Sequence, residues 1–313
     1  MKKTFITLLF GFISGFVTSQ YFSSNVGITI DQVDKTIQSK PEVLTDDSTA
    51  NNFEIVSDQD LKSDLTQKFI KSRYKKSVKI DIDGKLIECF IKNSKFEGEG
   101  DFRGKYCVNL VKISKDKING STFIYAVETG VMLEENMHFE PVHASGGGLV
   151  KFYKFEEINK DYKLVSESED IQSGSWGSPP NIIKNYRIGD GSGLGWITIW
   201  GDMHQGYAGS RVDIYASNVN RIKSIGHLQI ESSDGEACND PDGCDSVSLS
   251  TEIGTIPATD KKYFDLSTIT TGTIIRNKVE EKINRKIIVR FNEKKFNYVT
   301  DEFTKVYEGH EDF

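Results

Sequence analysis

The stretch VKIDIDGKLIECFIK, residues 78–92, is where the chain changes its period. Val78, Ile80 and Ile82 alternate with Lys79, Asp81 and Asp83, which puts apolar groups on one face of an extended strand and charges on the other. Asp83-Gly84 then supplies a pair that tolerates positive φ, so the stretch reads as a β-hairpin.

Downstream, a four-strand phrase recurs three times. Its first strands are CVNLVKIS (107–114), IIKNYRIG (182–189) and SVSLSTEIG (246–254), and its second strands TFIYAVETG (122–130), WITIWGDM (196–203) and YFDLSTITTG (263–272). After a longer excursion come the third strands, LVKFYKFEE (149–157), RVDIYASN (211–218) and KIIVRFNE (286–293). Polar turns return the fourth, YKLVSESED (162–170), IKSIGHLQI (222–230) and FNYVT (296–300). Each phrase is an antiparallel meander whose apolar face needs a neighbour to cover it. The expected fold is mainly β, built of antiparallel meander repeats in a propeller-like arrangement or a two-sheet sandwich, with one short N-terminal helix. That helix is SDQDLKSDLTQKFIKSRYKK (57–76), where Ser57 or Asp58 can cap and Leu61, Leu65, Phe69 and Ile70 share a face.

Upstream the chain opens with MKK and an uncharged apolar run, Thr4 to Thr18, the order of a secretory signal. The run is shorter than the about 20 residues of a comfortable bilayer span. Residues 1–19 are therefore read as a signal peptide or membrane anchor, 20–56 as a polar linker too poor in apolar groups to order itself, and 57–313 as a single β-rich domain opening with the helix. The expected location is outside the cytoplasm, periplasmic or extracellular. A net charge of -7 without a basic stripe excludes a nucleic-acid partner.

In an exported chain the four cysteines pair as disulfides. Cys89 and Cys107 lie on successive strands, and Cys238 and Cys244 bracket an Asp-Pro-Asp-Gly turn. The acids of that turn lack the terminal Glu of a calcium loop, and the spacing is not that of a CxxC redox pair.

The excursions between second and third strands, VMLEENMHFEPVHASGGG (131–148), HQGYAGS (204–210) and TIIRNKVEEKIN (273–284), are expected to carry contact. They hold His138, Glu140, His143, His204, Gln205 and Tyr207, to which Trp176 in SGSWGSPP (173–180) is added as either a stacking platform or a plug over the core. Trp196 and Trp200 are read as core or sheet-rim packing. HASGGG lacks a nucleophile elbow, and GDGSGLG (189–195) leads into a strand, so it is a hairpin turn and not a phosphate loop. With no assembled nucleophile, base and orienter, no cofactor and no metal, the preferred reading is an exported non-catalytic binding protein. It meets a protein or glycan partner through these loops, as an inhibitor or immunity factor would. The alternatives are a metal-assisted hydrolase using His138, Glu140, His143 and His204, or a structural or assembly component of the envelope.

Overall fold

The computed structural model describes residues 58–299 except 75, 83–84, 97–102, 134–146, 190–191, 205, 235–244 and 258–261, and the side chains of residues 58, 82, 95, 103 and 204 also lie outside the description. The helix begins at α1 (Asp58–Leu65), runs through a π turn (Thr66–Ile70) and closes with one further α turn (Lys71–Arg73). Leu61, Leu65 and Ile70 are buried on one side of it. The five-residue step from Leu65 to Ile70 exceeds a regular turn of 3.6, and the wider π turn absorbs the extra residue and keeps Ile70 on the buried face.

Strands β1 (Ser77–Ile82) and β2 (Lys85–Lys95) form the opening hairpin. A meander follows of β3 (Arg103–Ile118), β4 (Ser121–Leu133), β5 (Gly148–Ile158) and β6 (Asp161–Glu167), with the short β7 (Ile171–Ser173) pairing the far end of β5. The second meander is β8 (Ile182–Gly189), β9 (Gly193–His204), β10 (Tyr207–Asn218) and β11 (Arg221–Ser233). The third is β12 (Ser246–Ile256), β13 (Asp265–Arg276) and β14 (Val279–Val289). The expected mainly-β meander fold with one short helix is thus what forms, including the β8–β9 hairpin at GDGSGLG.

Period-two burial dictates the layering. On β4, Ile124 and Ala126 face the helix together with Tyr153 and Phe155 of β5, while Tyr125 and Val127 face the second meander with Val150 and Phe152. The second meander answers with Leu194, Trp196 and Tyr215 on that side, and turns Ile197, Ile199, Val212 and Ile214 toward Ile253 and Leu266 of the third. The layers therefore stack as helix, first, second and third meander. β11 links them, pairing β6 in parallel at Arg221 and β12 antiparallel at Glu231 to Ser233.

Two parts of the expected phrase are corrected. The excursions in the second and third meanders are two-residue turns, because His204 pairs directly with Tyr207 across Gly206 at φ 89°, and Arg276 with Val279 across Asn277 and Lys278 at φ 51° and 65°. Nor does the third phrase add a fourth strand to its sheet. β15 (Phe291–Asn292) and β16 (Asn297–Tyr298) make a separate ribbon, whose Phe291, Phe296 and Tyr298 close the core between the second and third meanders.

Up-and-down connectivity sorts the connections into two ends. At the turn end lie Asn119-Gly120, Asn159-Lys160 and Val219-Asn220, each joining strands by two residues. At the opposite, loop end lie the β9–β10 and β13–β14 turns, the crossover 174–181 from the first meander to the second, and the strand ends Lys95, Leu133 and Ser233, after which residues outside the description follow.

Candidate functional site

The crossover is fastened on three sides. Ser178 N donates to Ser175 O, Gly148 N to Ser178 O and Met132 N to Gly177 O, at 2.8–2.9 Å, and Ser175 Oγ donates to Gly201 O at 3.2 Å. Gly174 is indispensable to it, since at φ 95° a Cβ would stand 2.2 Å from Ser178 O. This frame holds Trp176 in the left-handed region at φ 53°, a conformation that costs a bulky residue roughly 1–2 kcal/mol. The residue is 42% exposed, so it does not plug the core. Its Nε1 donates to Asp202 Oδ1 at 2.8 Å, an oxygen that also accepts from Met203 N.

Asp202 stands on the β9–β10 hairpin. Its pairing partner is Gly209, and the neighbouring cross-strand pairs are Trp200 with Arg211 and Thr198 with Asp213. Directly paired residues of an antiparallel ladder share a face, as do alternate residues along a strand. Trp200, Asp202, Tyr207, Gly209, Arg211 and Asp213 therefore occupy one face, the continuation beyond the core of the face that buries Trp196 and Tyr215. Trp200 repeats the arrangement of Trp176, with its Nε1 donating to Asp213 Oδ2 at 2.9 Å. Arg211 donates through Nε to Asp213 Oδ1 at 2.7 Å, and its guanidinium sits 5.8 Å from the Trp200 ring centroid. Across β11, His227 pairs with Asp213 and Gln229 with Arg211. Burial and the Arg211 charge together lower the His227 pKa against the opposing pull of Asp213, which keeps the imidazole neutral at neutral pH.

Of the residues singled out in the sequence, Trp176 and Tyr207 fall at this end, Tyr207 47% exposed at the tip of the hairpin. The backbone of His204 ends β9 opposite it, and the side chain of His204 lies outside the described residues, as do His138, Glu140, His143 and Gln205. The connection carrying His138, Glu140 and His143 leaves β4 at Leu133 and re-enters β5 at Gly148, whose N–H is bonded to the Trp176 crossover. Among the described residues no three His, Cys, Asp or Glu side chains gather as a metal set. Trp200 is half-buried at the rim of the sheet, in keeping with the packing expected of it, and missed in the sequence were its partners, the exposed Arg211 and the buried Asp213. Their signal was the alternation W-x-D at 200–202 against R-x-D at 211–213 on strands joined by two residues.

A second polar cluster lies under the helix. Glu128, fully buried on β4, accepts from Lys92 Nζ at 3.0 Å and from the hydroxyls of Tyr74 and Tyr153 at 3.0 and 3.1 Å. Lys92 and Lys151 also reach Asp170, at 2.7 and 3.3 Å, and Arg73 forks onto Glu167 at 2.6 and 3.0 Å. Burial beside Glu128 pushes the Tyr74 hydroxyl up to about 12. Burial works against the charges of both Asp170 and Lys92, yet the bond to Lys92 lowers the Asp170 pKa, and the Glu128 charge, with Tyr74 and Asp170 behind it, raises that of Lys92. Three carboxylates meet three cations, so the cluster is electrically complete and clamps the helix to the sheet.

Cys89 and Cys107 form the disulfide expected of them, with Cα atoms 5.4 Å apart, and pack with Ile80 and Leu133. Cys238 and Cys244 lie outside the described residues. No helix among the described residues is long and apolar enough to cross a membrane. Comparison with protein-family models, with curated proteins and with solved structures yields no match.

Proposed function

We propose that the chain is an exported, non-catalytic binding protein that meets a protein or glycan partner with its loop end. The observation carrying this reading is Trp176, a large aromatic side chain held exposed in a left-handed conformation by four hydrogen bonds of the crossover and by Asp202. Backbone strain at an exposed aromatic residue opposes stability and persists where the surroundings over-determine it, which points to use. Trp, Tyr and Arg are the residues that dominate recognition surfaces, and this end presents Trp176, Trp200, Tyr207 and Arg211 on rigid strands or a braced turn. Export is supported by the leader-like residues 1–19 and by the Cys89–Cys107 disulfide, a bond rare in reducing compartments.

The test is affinity capture from the native envelope fraction with the whole chain and with Trp176→Ala. A partner retained by the former and lost from the latter supports the reading. Equal retention by both variants refutes this face as the contact, and accumulation of the chain in the cytoplasm refutes export.

A further inference from the structure

We infer that the ligand of the loop-end face is a neutral glycan, held by stacking of its sugar rings on Trp176 and Tyr207 over a floor made by Gly209. This deepens the proposed binding function and rests on it. The face is aromatic without being aliphatic. Among the described residues Trp176 and Tyr207 are its large exposed apolar side chains, and the exposed aliphatic ones lie on other strands or at the turn end, Val279 at the start of β14 being at the loop end but on the third meander. A protein hot spot centres on an apolar pocket ringed by polar groups, whereas here the rings stand among the carboxylate of Asp202, the guanidinium of Arg211 and the amide of Gln229. Rings presenting their faces beside planar polar groups match a molecule with C–H patches on its flat sides and hydroxyls around its edge.

The indole N–H groups of Trp176 and Trp200 are both spent on aspartates, which fixes ring orientation in advance and lowers the entropy lost on binding. From Tyr207 to Arg211 the face extends four residues, about 14 Å at strand rise, the reach of a short oligosaccharide and not of one sugar. Midway, Gly209 has no side chain opposite Asp202, leaving a flat step between Tyr207 and Arg211. An added Cβ there would meet only the flexible end of Gln229, at 3.1 Å, and the backbone oxygen of Glu231, at 3.7 Å, so packing does not require this glycine.

Other occupants fit less well. β10 is paired on both sides from Ala208 to Tyr215, and past Ile199, where the pairing of β9 with β8 ends, Gly201 O already accepts from Ser175 Oγ of the crossover, which disfavours strand addition by a peptide. Asp202 and a net charge of -7 oppose an acidic polysaccharide or a nucleic acid.

The experiment is calorimetric titration of the whole chain with hexasaccharides of β-1,4-glucose, α-1,4-glucose and β-1,4-N-acetylglucosamine, with polygalacturonate as the acidic probe. At least one neutral hexasaccharide should bind saturably, and Trp176→Ala and Gly209→Val should each weaken it by roughly tenfold or more while leaving the thermal midpoint in place. Gly209→Val separates the loss of a ring from the blocking of the floor. Absence of binding to all three neutral probes, preference for polygalacturonate, or binding indifferent to both substitutions overturns the inference. Should the same chain capture an envelope protein in a Trp176-dependent way while ignoring every sugar, the face remains a contact surface and the glycan assignment falls. Should capture and titration both be indifferent to Trp176, the function proposed for this face falls with it.

Discussion

Replacing Glu128 by Gln tests whether the clamp beneath the helix is an ionic structure or a set of interchangeable hydrogen bonds. The carboxylate is fully buried and serves three donors, Lys92 at 3.0 Å and the hydroxyls of Tyr74 and Tyr153. An amide keeps one acceptor oxygen but turns an NH2 toward a phenol that was donating, so one hydroxyl must find another acceptor in a dry site. Lys92, with a side chain 12% exposed, would retain only Asp170 as an anionic partner. Breaking a buried pair from one side costs about 3–5 kcal/mol, and that is the loss expected for Glu128→Gln in urea unfolding at neutral pH. It is a large share of the roughly 5–15 kcal/mol of a typical domain, so the urea midpoint of the variant should fall far below that of the parent. Tyr74→Phe, which removes one donor and no charge, should cost about 1–2 kcal/mol.

The double variant Lys92→Met with Glu128→Gln removes both members of the pair. Its cost should fall short of the sum of the single variants by about 1–3 kcal/mol, as expected for groups in direct contact. Hydrogen exchange should localise the damage, with amides of residues 61–73 exchanging earlier because Tyr74 and Arg73 tie the end of the helix to the cluster. A loss below about 1 kcal/mol for Glu128→Gln, or strict additivity in the double variant, would refute the ionic account.

The pH profile should fall in two stages on the acid side. His227 has a depressed pKa, so its contribution is present above about pH 6.5 and declines modestly as pH drops through its folded value. Asp170 and Glu167 are also depressed, so theirs is lost in a steeper step below about pH 4.5, and Lys92, which is raised, gives up its share only as alkaline pH passes its folded value. Urea midpoints across the range, with His227→Gln and Asp170→Asn as controls, check both stages, and rising stability between pH 7 and 5 contradicts them. Gly193→Ala should lower the thermal midpoint markedly, because at φ 85° the added Cβ would stand 2.4 Å from the Tyr125 hydroxyl and 2.7 Å from Ile118; an unchanged midpoint would rule out that crowding. Non-reducing peptide mapping should recover the Cys89–Cys107 link together with a Cys238–Cys244 link, and Cys89→Ser with Cys107→Ser should cost about 2–5 kcal/mol. Free thiols at Cys238 and Cys244 in exported protein would remove the second link.

The strands were legible because one period-two signal is repeated along most of the chain, and β12 (S-V-S-L-S-T-E-I) carries it almost undiluted. Two tight turns were misread as longer excursions, one of them, at Gly206, despite its glycine. Asn277-Lys278 looked like the middle of a loop because Lys is no turn signal, although Asn at the first position is. The layering was hidden for a different reason. β4 is buried on both faces, so Phe123 to Val127 reads as a continuous apolar run from which the alternation has vanished. The clamp was invisible because its members lie far apart in sequence, Arg73, Lys92, Glu128, Lys151, Glu167 and Asp170, and each alone looks like an ordinary solvated charge.

The two ends of the stack have different chemistry, and the register of the meanders explains why. A two-residue turn fixes the pairing of the strands it joins, so Asn119-Gly120, Asn159-Lys160 and Val219-Asn220 lock three hairpins from the turn end. The loop end sets register only at the tight turns joining His204 to Tyr207 and Arg276 to Val279, and beside them it carries a strained tryptophan and paired charges at little cost to folding. The disulfide supports the same division, since Cys89 and Cys107 lock β2 to β3 within the sheet, where the connection 97–102 is too long to do so itself. Variants at the loop end should therefore change binding with small effects on stability, and variants at the turn end the reverse. Trp176→Ala and Gly193→Ala, measured side by side for both properties, decide whether that separation holds.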